Sequence, residues 1–75
     1  MKKEFQIISE LIENNKRVLD VGCGDGTLMK YLKDNKNVDT RGLEISKNNV
    51  QLCISKSLSV IEGNAESDLQ QFPDL

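Results

Sequence analysis

The stretch Val18-Leu19-Asp20-Val21-Gly22-Cys23-Gly24-Asp25-Gly26-Thr27 limits what this chain can fold into more than any other part of it. A short apolar run stops sharply at three alternate glycines, and Leu28, Tyr31 and Leu32 then resume at helical spacing. Such a run reads as a buried strand of parallel type, and the pattern beyond it as a helix. The glycines let the backbone turn tightly between the two, and let a ligand approach main-chain N–H groups with no Cβ in the way. A strand, a bare-backbone turn and a helix therefore form one unit with a binding function.

The remaining pattern repeats that unit in kind. Upstream, Phe5, Ile8, Leu11 and Ile12 fall at helical spacing, with Ile7 widening the stripe, until Asn14-Asn15 interrupts it. Downstream, Thr40, Leu43 and Ile45 mark a second strand over residues 39–45, and Ser46 is placed to cap a helix whose inner face is Val50, Cys53 and Ile54. Leu58 to Glu62 predicts a third strand, and after Gly63 the chain turns polar, with a loop at Phe72-Pro73-Asp74-Leu75. Met29 and Tyr31 are read as core or edge packing. The order αβαβαβ, with helices of about ten residues, is that of the α/β class with a parallel sheet and right-handed crossovers. A chain of 75 residues is one domain at most. At that size only about 60% of the unfolded surface is buried, which leaves an isolated fold marginal.

Charge and special residues exclude several functions. The net charge is −2, and acids and lysines alternate, as in Lys30, Lys33, Asp34 and Lys36, so no basic stripe advertises nucleic-acid binding. No apolar run approaches the 18 or more residues of a membrane span, and the opening Met1-Lys2-Lys3-Glu4 does not lead into a signal peptide; cytoplasmic residence is the expectation. With no histidine, and two cysteines 30 positions apart, the usual zinc ligand sets cannot be assembled and no metal is expected. Cys23 in the turn and Cys53 in a helix read as reduced thiols, Cys23 as small filler.

The residues at the turn separate the ligands that such turns hold. A nucleoside-triphosphate loop needs glycine and lysine where Thr27 and Leu28 stand, and a dinucleotide fingerprint needs glycine at position 27 rather than 26. Asp20 at the strand end and Asp25 within the turn add like-charge repulsion where a pyrophosphate would lie. A phosphate-free ligand with a cationic end is favoured instead, and S-adenosylmethionine is one. In that reading Asp20 neutralises the amino-acid end, and the backbone of Gly22, Cys23, Gly24, Asp25 and Gly26 packs against the methionine portion. Glu44, 22 residues after Gly22, accepts from the ribose hydroxyls, Ile45 walls the adenine, and Asn64-Ala65-Glu66 meets its edge. Asp25 is first a helix cap, worth about 0.5–1 kcal/mol, and a cofactor contact second. Asn64 either touches adenine or only shapes its turn.

Those residues carry a family resemblance. Val18 to Gly26, with Gly42-Leu43-Glu44-Ile45 downstream, resembles the first two cofactor motifs of class I S-adenosylmethionine-dependent methyltransferases. A nearer resemblance is to the methionine biosynthesis protein MetW family, on Arg17 to Asp20, Leu32 to Lys36, Gly42 to Ile45, Val60-Ile61 and Phe72-Pro73-Asp74. It implies a Rossmann-like methyltransferase fold, three-layer α/β/α, of which residues 1–75 are a single partial domain, the N-terminal αβαβαβ portion. It implies S-adenosyl-L-methionine as cofactor, a role in methionine biosynthesis, and homoserine O-acetyltransferase as a partner. Asn64 departs from the family, where many relatives carry Asp. Family members continue into a fourth strand beside the first and into the acceptor site, so no catalytic residue can be nominated from these residues. Two other functions remain to be weighed: a non-catalytic scaffold for the partner enzyme, and an NAD-linked oxidoreductase, which Thr27 and Asp20 disfavour.

Without a fourth strand, Val18 to Val21 would keep an unpaired apolar edge, an invitation to pair with another chain. This polypeptide is therefore expected to self-associate along that edge or to be the ordered part of a longer protein. Sedimentation of the 75 residues should show species larger than the monomer, and a monomer with a sharp thermal transition would contradict the expectation.

Overall fold

A computed structural model gives the fold and describes residues 2–68. The order is α1 (Lys3–Leu11), β1 (Arg17–Val21), α2 (Thr27–Lys36), β2 (Asp39–Glu44), α3 (Lys47–Ser55), β3 (Val60–Glu62) and a single turn, α4 (Ala65–Asp68). The three strands form one parallel sheet in the order β1-β2-β3. The alternation expected from the sequence is present, with strand ends shifted by one or two residues. Phe72-Pro73-Asp74-Leu75 lies outside the described residues.

Register follows from the pairing of Asp20 with Gly42 and Val21 with Leu43 on one side of β2, and of Leu43 with Ile61 and Glu44 with Glu62 on the other. It aligns the carboxyl ends of all three strands. The ends of β1 and β3 are each tied further to β2, because Gly22 N donates to Leu43 O at 2.7 Å and Gly63 N donates to Glu44 O at 3.0 Å.

Two buried clusters join α1, α2 and α3 to the sheet. Met29 of α2 and Cys53 of α3 meet in a buried cluster with Cys23 and Leu58, against which Val60 packs. Leu28, Leu32 and Val38 form a second cluster that receives Phe5 and Ile12 from α1 and Val18 from β1. The stripe read along the first helix is only partly buried: Phe5 and Ile12 reach this cluster, whereas Ile7, Ile8 and Leu11 are exposed. Ser9 is the buried residue of that helix instead, and its carbonyl accepts from Lys36. The cause is geometric, since α1 presents its Phe5–Ser9–Ile12 side to α2 and the described residues place no element on the other side.

β1 is half-buried rather than fully buried, and Val21 is 50% exposed, because β1 is an edge strand among the described residues. Ile54 likewise points outward, while Val50 and Cys53 carry the inner face of α3. The expected cap of α3 is made: the Ser46 side chain accepts from Asn49 N at 3.3 Å. At the opposite end of the sheet two asparagines take left-handed conformations, Asn15 after the first helix and Asn37 after α2, and their side chains are hydrogen-bonded at 2.8 Å.

The three glycines of the turn do different work. All have positive φ, yet a Cβ on Gly22 or Gly24 would meet nothing within 4 Å, so both face open space. Gly26 is buried, and a Cβ there would lie 2.5 Å from Leu58 Cδ1 and 3.0 Å from Cys53 Sγ. The first two leave room for a ligand, and the third lets α2 dock on α3. Gly26→Ala is therefore expected to destabilise the fold by about 1–2 kcal/mol for the left-handed backbone and a further ~1–3 kcal/mol for overpacking. Urea titration should show a clear fall in midpoint for Gly26→Ala and a smaller one for Gly24→Ala.

Candidate functional site

The carboxyl edge of the sheet gathers the residues singled out from the sequence. Glu44, the last residue of β2, is 7% exposed, and both of its oxygens are engaged by backbone. Oε1 accepts from Gly24 N at 2.8 Å and Oε2 from Ser46 N at 2.9 Å. These donors, Ser46 first and Gly24 next, hold its pKa below the usual carboxylate value. A carboxylate offers about four lone-pair sites. The Asn49 side chain and the Ile45 amide lower its pKa further, so the carboxylate is held ionised and accepts only.

Asp20 lies one strand away in the opposite electrostatic condition. Burial raises its pKa, and the charge of Glu44 adds to the rise. No described residue donates a hydrogen bond to its carboxylate. A half-buried acid without a donor, next to a second acid, favours the arrival of a cation.

Asp25 acts chiefly on its own helix. Its Oδ1 accepts from Thr27 Oγ1 at 2.7 Å and Thr27 N at 3.0 Å, which supplies the cap that Gly26 lacks. The Thr27 hydroxyl and amide lower its pKa. Lys56, at the C-terminal cap of α3, donates to the Asp25 carbonyl at 2.8 Å, pinning the outer part of the turn to that helix.

Cys23 and Cys53, distant in sequence, meet in the core with their sulfurs 3.9 Å apart, and both are free thiols. The turn is thereby anchored from below as well, since Cys53 Sγ also donates to the Gly24 carbonyl at 3.3 Å. Burial pushes the Cys23 thiol up to about 12, with the neighbouring Cys53 and the charges of Asp20 and Glu44 adding to it. Sequence reading placed Cys23 as filler but had no means to foresee this contact.

Two cavities open on either side of Gly22. One, of about 530 Å³, is lined by Lys2, Phe5, Gly22, Gly24, Asp25 and Asn49 among others. The other, of about 200 Å³, is an apolar slot between Val21 and Ile45 on one side and Gly63, Asn64 and Ala65 on the other. Ile45 is 70% exposed and offers a flat apolar wall. The Asn64 side chain is committed locally, because its Oδ1 accepts from Glu66 N at 2.8 Å and so caps the last helical turn. Lys2 and Asn49 carry no signal of a site in the sequence, and Phe5 reads there only as part of the apolar stripe of α1. Periodicity carries no sign that the start of α1 reaches the glycine turn, which follows from α1 returning antiparallel to β1.

A parallel sheet whose strand ends offer in turn a glycine bend, a buried acid and an apolar slot belongs to the Rossmann-like α/β folds. Solved structures of the same fold include a TehB-like SAM-dependent methyltransferase from Corynebacterium glutamicum (TM-score 0.75, 21% identity, 87% of this chain and 36% of that one). They also include a SAM-dependent methyltransferase from Thiobacillus denitrificans in complex with S-adenosyl-L-homocysteine (TM-score 0.74, 17% identity, 87% and 30%). Another, from Geobacter sulfurreducens and also in complex with S-adenosyl-L-homocysteine, matches at TM-score 0.60 and 20% identity over 87% and 30%. The chain thus spans about a third of the length of these structures. It belongs to the MetW family: the family model of the methionine biosynthesis protein MetW matches residues 2–75. No curated protein matches it.

The buried thiols give a direct test. A proton held on Cys23 up to about 12 stabilises the fold relative to an unfolded chain whose thiol ionises at its ordinary value near 9.0. That contribution is full below the ordinary value and is lost as pH rises towards about 12. Stability should fall through this alkaline window, and Cys23→Ala should flatten the fall. Iodoacetamide at pH 8 should label neither thiol in the native protein and both after denaturation, read by mass spectrometry.

Proposed function

We propose that this chain is the cofactor-binding part of an S-adenosylmethionine-dependent methyltransferase acting in methionine biosynthesis. The observation that carries the reading is Glu44. Buried at the end of β2 and fastened to the turn by both oxygens, it stands at the strand end beside which a ribose would lie. The exposed Ile45 wall and the slot reaching Ala65 fit an adenine beside it, and the open faces of Gly22 and Gly24 fit a ligand pressed on backbone. Asp20, without a donor among the described residues, fits an ammonium group.

The bound sulfonium supplies an already activated methyl group. The residues here bind and orient: Glu44 fixes the ribose, Ile45 and Ala65 the base, and Asp20 the amino-acid end. Methyl transfer asks chiefly for in-line positioning and exclusion of water, which effective-molarity arguments value at up to about 7–11 kcal/mol. Cytoplasmic residence, self-association through β1 and partnership with homoserine O-acetyltransferase complete the proposal. Support for the first of these is that no helix of the described residues is long and apolar enough to cross a membrane.

Isothermal titration of the full-length protein with S-adenosylhomocysteine tests the reading, and absence of heat would overturn it. Glu44→Ala should weaken binding about 100-fold, by loss of two hydrogen bonds to a charged acceptor, and should abolish methyl transfer. Asp20→Asn should weaken it about tenfold. In the wild type, affinity should fall as pH drops through the raised pKa of Asp20, because protonation removes the charge that the ammonium requires. The Asn variant should lack that dependence.

A further inference from the structure

The amino-acid end of the proposed ligand carries two opposite charges, and Asp20 answers only one of them. Asp20, Asp25 and Glu44 surround the turn with negative charge. A free carboxylate entering beside them is repelled unless a cation stands on its side of the cavity. Most cations nearby are already engaged. Lys56 holds Asp25, Lys30 pairs with Asp34, Lys33 donates to the Ser57 carbonyl, and Arg41 reaches Asp39 at the far end of its strand.

Lys2, unlike the other cations, stands in the lining of the site itself. It lines the larger cavity together with Gly22, Gly24 and Asp25, and neither this cavity nor the adjoining slot has another cation in its lining. Its ammonium lies 5.8 Å from the centroid of the Phe5 ring, within reach of a cation–π contact. Phe5 itself packs against the Leu28, Leu32 and Val38 cluster, so the ring that supports Lys2 is fixed in the core. Among the described residues Lys2 forms no ion pair, while its charge is close enough to contribute to the lowered pKa of Asp25.

We infer that Lys2, held over Phe5, binds the carboxylate of the ligand's amino-acid end, so that the start of α1 closes the cofactor site opposite Asp20. Resting on the proposed function, this deepens it: Asp20 and Lys2 read the two charges of an α-amino acid separately. The N-terminal helix then serves recognition as well as packing. A nucleoside that lacks the amino-acid end owes nothing to Lys2.

The test compares S-adenosylhomocysteine with 5′-methylthioadenosine, which keeps the nucleoside and loses both charges, by titration into the full-length protein with an untagged N-terminus. Lys2→Gln should weaken S-adenosylhomocysteine about tenfold, leave 5′-methylthioadenosine unchanged, and reduce the salt dependence of the former. Lys2→Arg should restore most of the affinity. Equal S-adenosylhomocysteine binding by wild type and Lys2→Gln, or equal weakening of both ligands, overturns the assignment of Lys2 while leaving the proposed function standing. Failure of the wild type to bind either ligand removes both.

Discussion

A single buried carboxylate joins the parts of this fold that have to act together. Glu44 receives Gly24 N on one oxygen and Ser46 N on the other, so the first turn, the end of the central strand and the start of α3 share one anchor. Removing it would leave two amides without their partner at a place where glycines supply no side-chain packing of their own. The cost of burying a charge is met by those donors, which is why its pKa falls although it is almost wholly enclosed.

The second constraint is packing beneath the turn. Gly26 and Gly42 let α2 approach both α3 and the sheet, because a Cβ on Gly42 would lie 2.8 Å from both Cys23 Sγ and Met29 Cε. Cys23 and Cys53 fill the space with small side chains and stay protonated. The upper surface of the turn is consequently free to be bare backbone, while its lower surface is rigid. Such division of labour is what pre-organises a binding loop without a ligand to hold it.

Much of this was legible beforehand. The αβαβαβ order and the caps by Ser46 and Asp25 follow from local spacing, since each depends on residues within a strand, a turn or one helical repeat. The burial of α1 and β1 was not legible. Ile8, Leu11 and Val21 have the right residue types and spacing, but whether they are covered depends on which elements lie opposite, and periodicity describes only the element that carries it.

Sequence alone determined the class of the fold and the chemical character of the cleft, because glycines, strand-terminal acids and caps act over a few residues. Tertiary structure decided which glycine faces a ligand and which faces a helix, that Asn64 caps its own turn, and that two cysteines far apart in the chain touch. It also decided that Lys2 and Phe5 stand at the mouth of the cavity. Each of these is a distance between segments remote in sequence, set by the closing of the chain over the sheet, and no pattern within either segment encodes it.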